Sequence, residues 1–189
     1  EKGAVRRSFD TRKPFRGNIF SQLLLCNFIN TQTVVIRRKA FDNLNYWFDN
    51  RLNIIGDLDV YLRISNKWTV DYVNVPLARY RVHRDSTTFK EGRKRLAAEL
   101  VLMIENLKNA ISGFGYKYSK EVAILERRKE VQLSLSDWEN GRRRQARKRI
   151  RAYFYESVSI FFLYFLMFLP YRIVFNLCYR VYSKDIITN

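Results

Sequence analysis

From Glu91 onward the chain carries the period of an α-helix, and that period restricts its fold more than any other feature. Leu96, Leu100, Met103, Ile104 and Leu107 recur three and four residues apart, which places them on one stripe of a helix over Glu91–Ile111. Gly113-Phe114-Gly115 interrupts the pattern, since glycine carries no backbone bias toward helix. A second helix is expected over Lys120–Trp138, closed by Asn140-Gly141, so the two read as a helical hairpin. A third begins near Arg142, with a pattern that allows it to continue to Leu169. Apolar stripes of this kind have to be covered, either by one another or by the residues that precede them.

The end of the chain adds a second constraint. Ser157–Tyr171 holds no charged residue and includes the run Phe161–Leu169. Arg142, Arg143, Arg144, Arg147, Lys148, Arg149 and Arg151 come just before it with no acid among them, and Arg172, Arg180 and Lys184 follow. A membrane-spanning helix needs about 20 apolar residues, so this run is short for a span. Aromatic residues beside clustered cations suit a helix in the headgroup region of an anionic bilayer. The expected partner is therefore an anionic membrane surface, met through residues 142–184. A net charge of +17 in 189 residues also calls for an anionic partner. Nucleic acid is the weaker candidate and is not expected. No zinc knuckle, RNP-type strand or helix-turn-helix pattern is present, and the basic cluster runs straight into Phe and Leu. Cys26 and Cys178 are far apart, and with one histidine no zinc site can be built from Cys and His alone. Two free cysteines fit a reducing compartment. An apolar fraction of 47% argues against a disordered chain.

The first ninety residues have a different texture. Ile19, Phe20, Leu23, Leu24 and Phe28 suggest a short buried helix between Asn18 and Asn30. Thr33–Ile36 is β-branched and reads as a buried strand, Thr69–Val73 alternates like a strand, and so does Leu77–Val82. Arg38–Leu44 suits a helical turn, and Asn45–Asn50 a loop in which Trp47 and Phe48 could stack on a sugar or simply pack, Phe48 reading mainly as core. Between these segments Asp57 opens a helix with Leu58, Tyr61, Leu62 and Ser65 on one face. A carboxylate in a first turn meets free backbone N–H groups, so Asp57 has a structural reading as a helix-end residue. Asp59 and Arg63 are four apart and suit an ion pair.

The order Gly56-Asp57-Leu58-Asp59, then Pro76-Leu77, then Tyr80-Arg81-Val82-His83, with Arg37-Arg38 closing an earlier segment, resembles family 2 glycosyltransferases. The likeness covers about residues 15–90. It implies a partial GT-A α/β fold, a mixed sheet with covering helices, followed by a mainly helical C-terminal region. Residues 1–90 then form the acceptor-side part of the catalytic domain, 91–140 a helical hairpin, and 141–189 a basic, aromatic-rich membrane-associating region. The implied activity is inverting transfer of a sugar from a nucleotide-sugar donor to a hydroxyl of a glycan or lipid-linked acceptor in bacterial surface polysaccharide synthesis. The implied place is the cytoplasm, peripheral on the inner face of the plasma membrane. Asp57 matches the catalytic base. His83 matches a residue near the divalent cation (Mn2+ or Mg2+) and the donor diphosphate, and Arg81 beside it is the candidate donor contact. Imidazole suits Mn2+ better than Mg2+. Two departures stand out: Gly56 replaces the acid usual before the base, and the family's Asp-x-Asp and nucleotide-binding strands would lie before Glu1. The chain is accordingly expected to be the later part of a longer enzyme, inactive alone. The competing expectation is a noncatalytic basic protein of the membrane surface.

Overall fold

The computed structural model describes residues 15–75, 77–78 and 92–176. Among them the chain is mainly helical. Helices α1 (Phe20–Leu25), α2 (Arg38–Asp42) and α3 (Gly56–Ser65) occupy the first part. Helices α4 (Gly92–Ala110), α5 (Phe114–Lys117) and α6 (Ser119–Glu139) form the hairpin, and α7 (Arg143–Ile150) and α8 (Val158–Leu166) follow. Single 3-10 turns lie at Thr31–Thr33 and Arg151–Tyr153.

The expected α/β sheet is not found among the described residues. Among the described residues the only β pairing is an isolated antiparallel bridge, in which Gly17 and Val70 exchange N–H···O bonds of 2.7 and 2.9 Å. A strand is stable only when a neighbour accepts and donates along its length, and neither expected segment has one. Val34 follows the 3-10 turn, and Val35 is 98% exposed instead of buried. Beyond Val70 the extension ends at Val75, whose N–H turns back to the Val73 carbonyl at 2.9 Å in a three-residue turn. The third expected strand, Leu77–Val82, lies outside the described residues from Arg79 onward.

Helical periodicity is realised where it is densest. The α4–α6 hairpin turns at Gly113 (φ 69°) and α6 ends before Gly141 (φ 77°). Both sit in the left-handed region that releases a helix C-terminus, and a Cβ there would strain the backbone although there is open space around it. The hairpin does not stand apart from the first part of the chain. Ile19, Phe20, Leu23 and Leu62 are buried in one cluster with Met103, Leu107, Phe114 and Leu125. Phe20 packs edge-on against Phe114 (6.3 Å) and tilted against Tyr118 (4.6 Å).

The third helix breaks after Ile150 and does not run on to Leu169. Ser157 is fully extended (φ −156°, ψ 128°) before α8 begins. The reason lies in what the break brings together. A continuous helix would carry Leu169 about 40 Å from Arg142. Instead Trp138 Nε1 donates to the Leu169 carbonyl at 2.8 Å, and Ser134 Oγ donates to Met167 Sδ at 3.5 Å. Trp138, Ala146, Ile150, Ile160, Met167 and Val174 thereby form a second buried cluster.

Candidate functional site

Helix α3 carries two acids in its first turn and separates them. Asp59 points inward and is completely buried. Arg63, one turn on and 3% exposed, donates to it at 2.9 Å. The same guanidinium donates to the carbonyls of Tyr46 (2.7 Å) and Trp47 (2.8 Å) and lies 4.2 Å from the Tyr46 ring. Burial pushes the Asp59 carboxyl above its ordinary value even with Arg63 alongside. A second layer surrounds the pair. Asn106 Nδ2 donates to Asp59 (3.3 Å) and to Asp49 (2.9 Å), and Arg51 closes a fork on Asp49 at 2.7 Å. Hydrogen bonds from Arg51 hold the Asp49 carboxyl well below the usual carboxylate range. The network is fully satisfied, and no described buried side-chain polar atom lacks a partner.

Asp57 is built differently. It is half-buried at the mouth of the helix. Its Oδ1 accepts the Leu58 N–H at 2.7 Å, and its Oδ2 accepts the Thr31 hydroxyl in a short hydrogen bond. Each carboxylate oxygen has two lone pairs, so each keeps one for a further donor. Thr31 is fixed by the 3-10 turn it opens, where the Asn30 side chain accepts the Gln32 N–H at 3.2 Å. Tyr61, one turn beyond Asp57, completes the group. Burial raises its phenol, a hydrogen bond with Thr31 lowers it, and the nearby Asp57 charge raises it, with a net upward shift. A carboxylate, a hydroxyl and a phenol thus converge at one partly exposed point. Such a group can accept a proton from, or orient, an incoming hydroxyl.

Two residues that position this site carry no motif in the sequence. Glu99 on α4 reaches the loop before α3 and accepts the N–H groups of Asn53 (3.0 Å), Ile54 (2.8 Å) and Ile55 (3.1 Å). Arg95 braces it from the next turn at 3.1 Å. Burial works to raise Glu99, but these donors outweigh burial and hold its carboxyl below its ordinary value. Helix α3 has Ile55 in its N-cap position, which offers no side-chain acceptor. Glu99 ties down the entering loop from another helix instead. Thr31 is the other such residue. The only sequence signal for Glu99 and Asn106 is that both fall on the buried stripe of α4 beside Leu96, Met103 and Leu107, where a polar residue needs a partner.

Among the described residues, the other sequence candidates, Trp47 and Phe48, do not join this group. Arg81 and His83 lie outside the described residues. Phe48, expected mainly as core, is 58% exposed, and Trp47 packs on Phe41 (5.1 Å) with Arg38 over its ring (5.0 Å). Its carbonyl, with that of Tyr46, is taken by Arg63, so the loop's backbone faces α3 while Phe48 turns outward. Among the described residues no group of three or more His, Cys, Asp or Glu is placed to hold a metal ion. No protein-family model, curated protein or solved structure matches the chain.

Proposed function

We propose that this chain supplies the acceptor side of an inverting glycosyl transfer, with Asp57 as the base. The observation that supports this is the opposite fate of the two acids. Asp59 is consumed by a buried ion pair with Arg63, whereas Asp57 keeps open lone pairs at a half-buried helix mouth. In the proposed step an acceptor hydroxyl gives its proton to an Asp57 oxygen as its own oxygen bonds to the anomeric carbon. The bond from that carbon to the donor diphosphate breaks on the opposite face, and the nucleoside diphosphate leaves with the electron pair. Thr31 orients the carboxylate. The same reading gives Arg81 and His83 to the donor diphosphate and a divalent cation, the donor being a nucleotide sugar and the acceptor a glycan or lipid-linked hydroxyl at the cytoplasmic face of the membrane. It rests on the sequence resemblance and the Asp57 geometry, and does not invoke a sheet.

The test is Asp57→Asn in the full-length gene product, followed as release of nucleoside diphosphate from a panel of UDP- and GDP-sugars in membrane extracts. Asn keeps the shape and the Leu58 contact but cannot take a proton. Turnover is expected to fall by about 10^2–10^4-fold with donor binding retained. Unchanged turnover in that variant removes Asp57 from the chemistry. A noncatalytic protein of the membrane surface is the second reading, favoured by the exposed apolar side of α8, and it predicts no turnover to lose.

A further inference from the structure

Helix α8 has two apolar sides where a helix at a water surface has one. Ile160 and Met167 are buried against Trp138 and Ile150, with Leu163 and Tyr164 packed on the same side. At about 100° per residue the opposite side carries Val158, Phe162, Phe165 and Leu166. All four are exposed, Val158 by 74% and Phe162 by 61%, and Leu169 continues the strip just past the helix end. No residue of α8 is charged. A contiguous apolar strip facing water marks a surface that meets a partner.

The charges beside this strip indicate which partner. Arg143 and Arg147 on α7 donate to the carbonyls of Phe168 (2.8 Å) and Met167 (3.0 Å), and Arg147 lies over the Phe168 ring at 4.0 Å. These contacts fasten the basic helix to the end of the apolar strip. Asp137 takes up Arg142 and Arg149 at 2.8 and 2.7 Å. Arg144 and Lys148, four apart on one exposed side of α7, pair with no acid among the described residues. With nine residues α8 is about 14 Å long, against about 30 Å of bilayer hydrocarbon. Among the described residues no helix is long and apolar enough to cross a membrane. A second copy of the chain meeting this face about a two-fold axis would set cations against cations. Nucleic acid would use the cations and leave the aromatic strip in water.

We propose that α7 and α8 form an interfacial docking surface for an anionic bilayer, with Phe162 and Phe165 entering the acyl boundary and Arg144 and Lys148 on headgroup phosphates. The two contributions are of different kinds: apolar burial holds the helix in the interface, and charge selects anionic lipid. This inference is independent of the role given to Asp57.

The experiment is co-sedimentation of the purified chain with phosphatidylglycerol vesicles and with phosphatidylcholine vesicles. Binding to the first and much weaker binding to the second is expected, declining as salt is raised. Arg144→Ser with Lys148→Ser should lower partition onto phosphatidylglycerol by about thirtyfold, since each lost cation near the surface is worth roughly fivefold. Phe162→Ser should lower it by about tenfold or more on both lipids. Among the described aromatic side chains Phe162 contacts only the ring of Phe161 (5.6 Å), so this variant should keep its circular dichroism spectrum. The cation variant tests the same surface without touching the apolar packing. Failure to bind phosphatidylglycerol, or equal binding by wild type and both variants, overturns the proposal. Vesicle binding displaced by a random oligonucleotide and insensitive to Phe162→Ser assigns the face to nucleic acid. Self-association abolished by Phe162→Ser, without vesicle binding, assigns it to a second copy.

Discussion

Glu99→Ala tests how the Asp57 helix is held. Glu99 is 2% exposed and is the acceptor for three consecutive backbone N–H groups. The Ile55 bond is buried, so losing its acceptor costs about 1–3 kcal/mol for an unsatisfied donor. The Asn53 and Ile54 bonds are part-buried, and their donors can recover water at a net loss of about 0.5–1.5 kcal/mol each. The sum is about 2–6 kcal/mol. Glu99→Gln keeps one carbonyl oxygen and turns an amide toward the remaining donors, so about 2 kcal/mol is expected. The assay is urea unfolding followed by far-UV circular dichroism, with amide exchange at Ile54 and Ile55 as the local readout. Loss of protection at those two amides should exceed that in α6. If Glu99→Ala unfolds within about 1 kcal/mol of wild type, the loop is held by its apolar neighbours and not by this carboxylate.

Two further outcomes follow from the same polar groups. Arg63→Lys keeps the charge opposite Asp59 but cannot reach Asp59 and both the Tyr46 and Trp47 carbonyls, so about 2–4 kcal/mol should be lost, with Trp47 emission shifting to the red; unchanged stability and emission would refute the role of the fork. Acid should destabilise the fold: Glu99, Asp49 and Asp137 are all lowered in the folded state, so their stabilisation is present above their ordinary values of 4.5, 3.8 and 3.8 and is lost as pH falls below them. Asp59 is raised and opposes this, its contribution being lost as pH rises through its folded value, but it is one group against three. Glu99→Gln should flatten the dependence of the urea midpoint on pH below about 4.5, and an unaltered slope would count against the assignment.

How much of this was legible in the sequence differs between the two parts of the chain. Helical periodicity is a local property, because residues three and four apart share a face wherever the helix lies. Leu96, Leu100, Met103 and Ile104 therefore announced α4, Gly113 the break after it, and Gly141 the end of α6. Asp59 and Arg63 announced their pair for the same reason. The β-branched runs at Thr33–Ile36 and Thr69–Val73 misled, because a strand is defined by a neighbour that the run itself does not contain. Among the described residues only Gly17 and Val70 pair, and Val35 is left in solvent.

The sequence by itself determined the α4–α6 hairpin and its glycine breaks, that Asp57 opens a helix, and that cations precede an uncharged aromatic run; the break between α7 and α8 it did not show. Tertiary structure alone decided what surrounds the two acids beyond the local Asp59–Arg63 pair. Asp59 is drawn into Arg63 and Asn106, while Asp57 is shared by Thr31 and its own neighbour's N–H, contacts that span up to 47 residues. It also decided that Glu99 is the clamp of the loop before α3, and that Phe162 faces outward while Ile160 faces in. The physical reason is the same in each case. Periodicity fixes which side chains share a face, but the partner that covers or satisfies that face comes from elsewhere in the chain, and only packing brings it there.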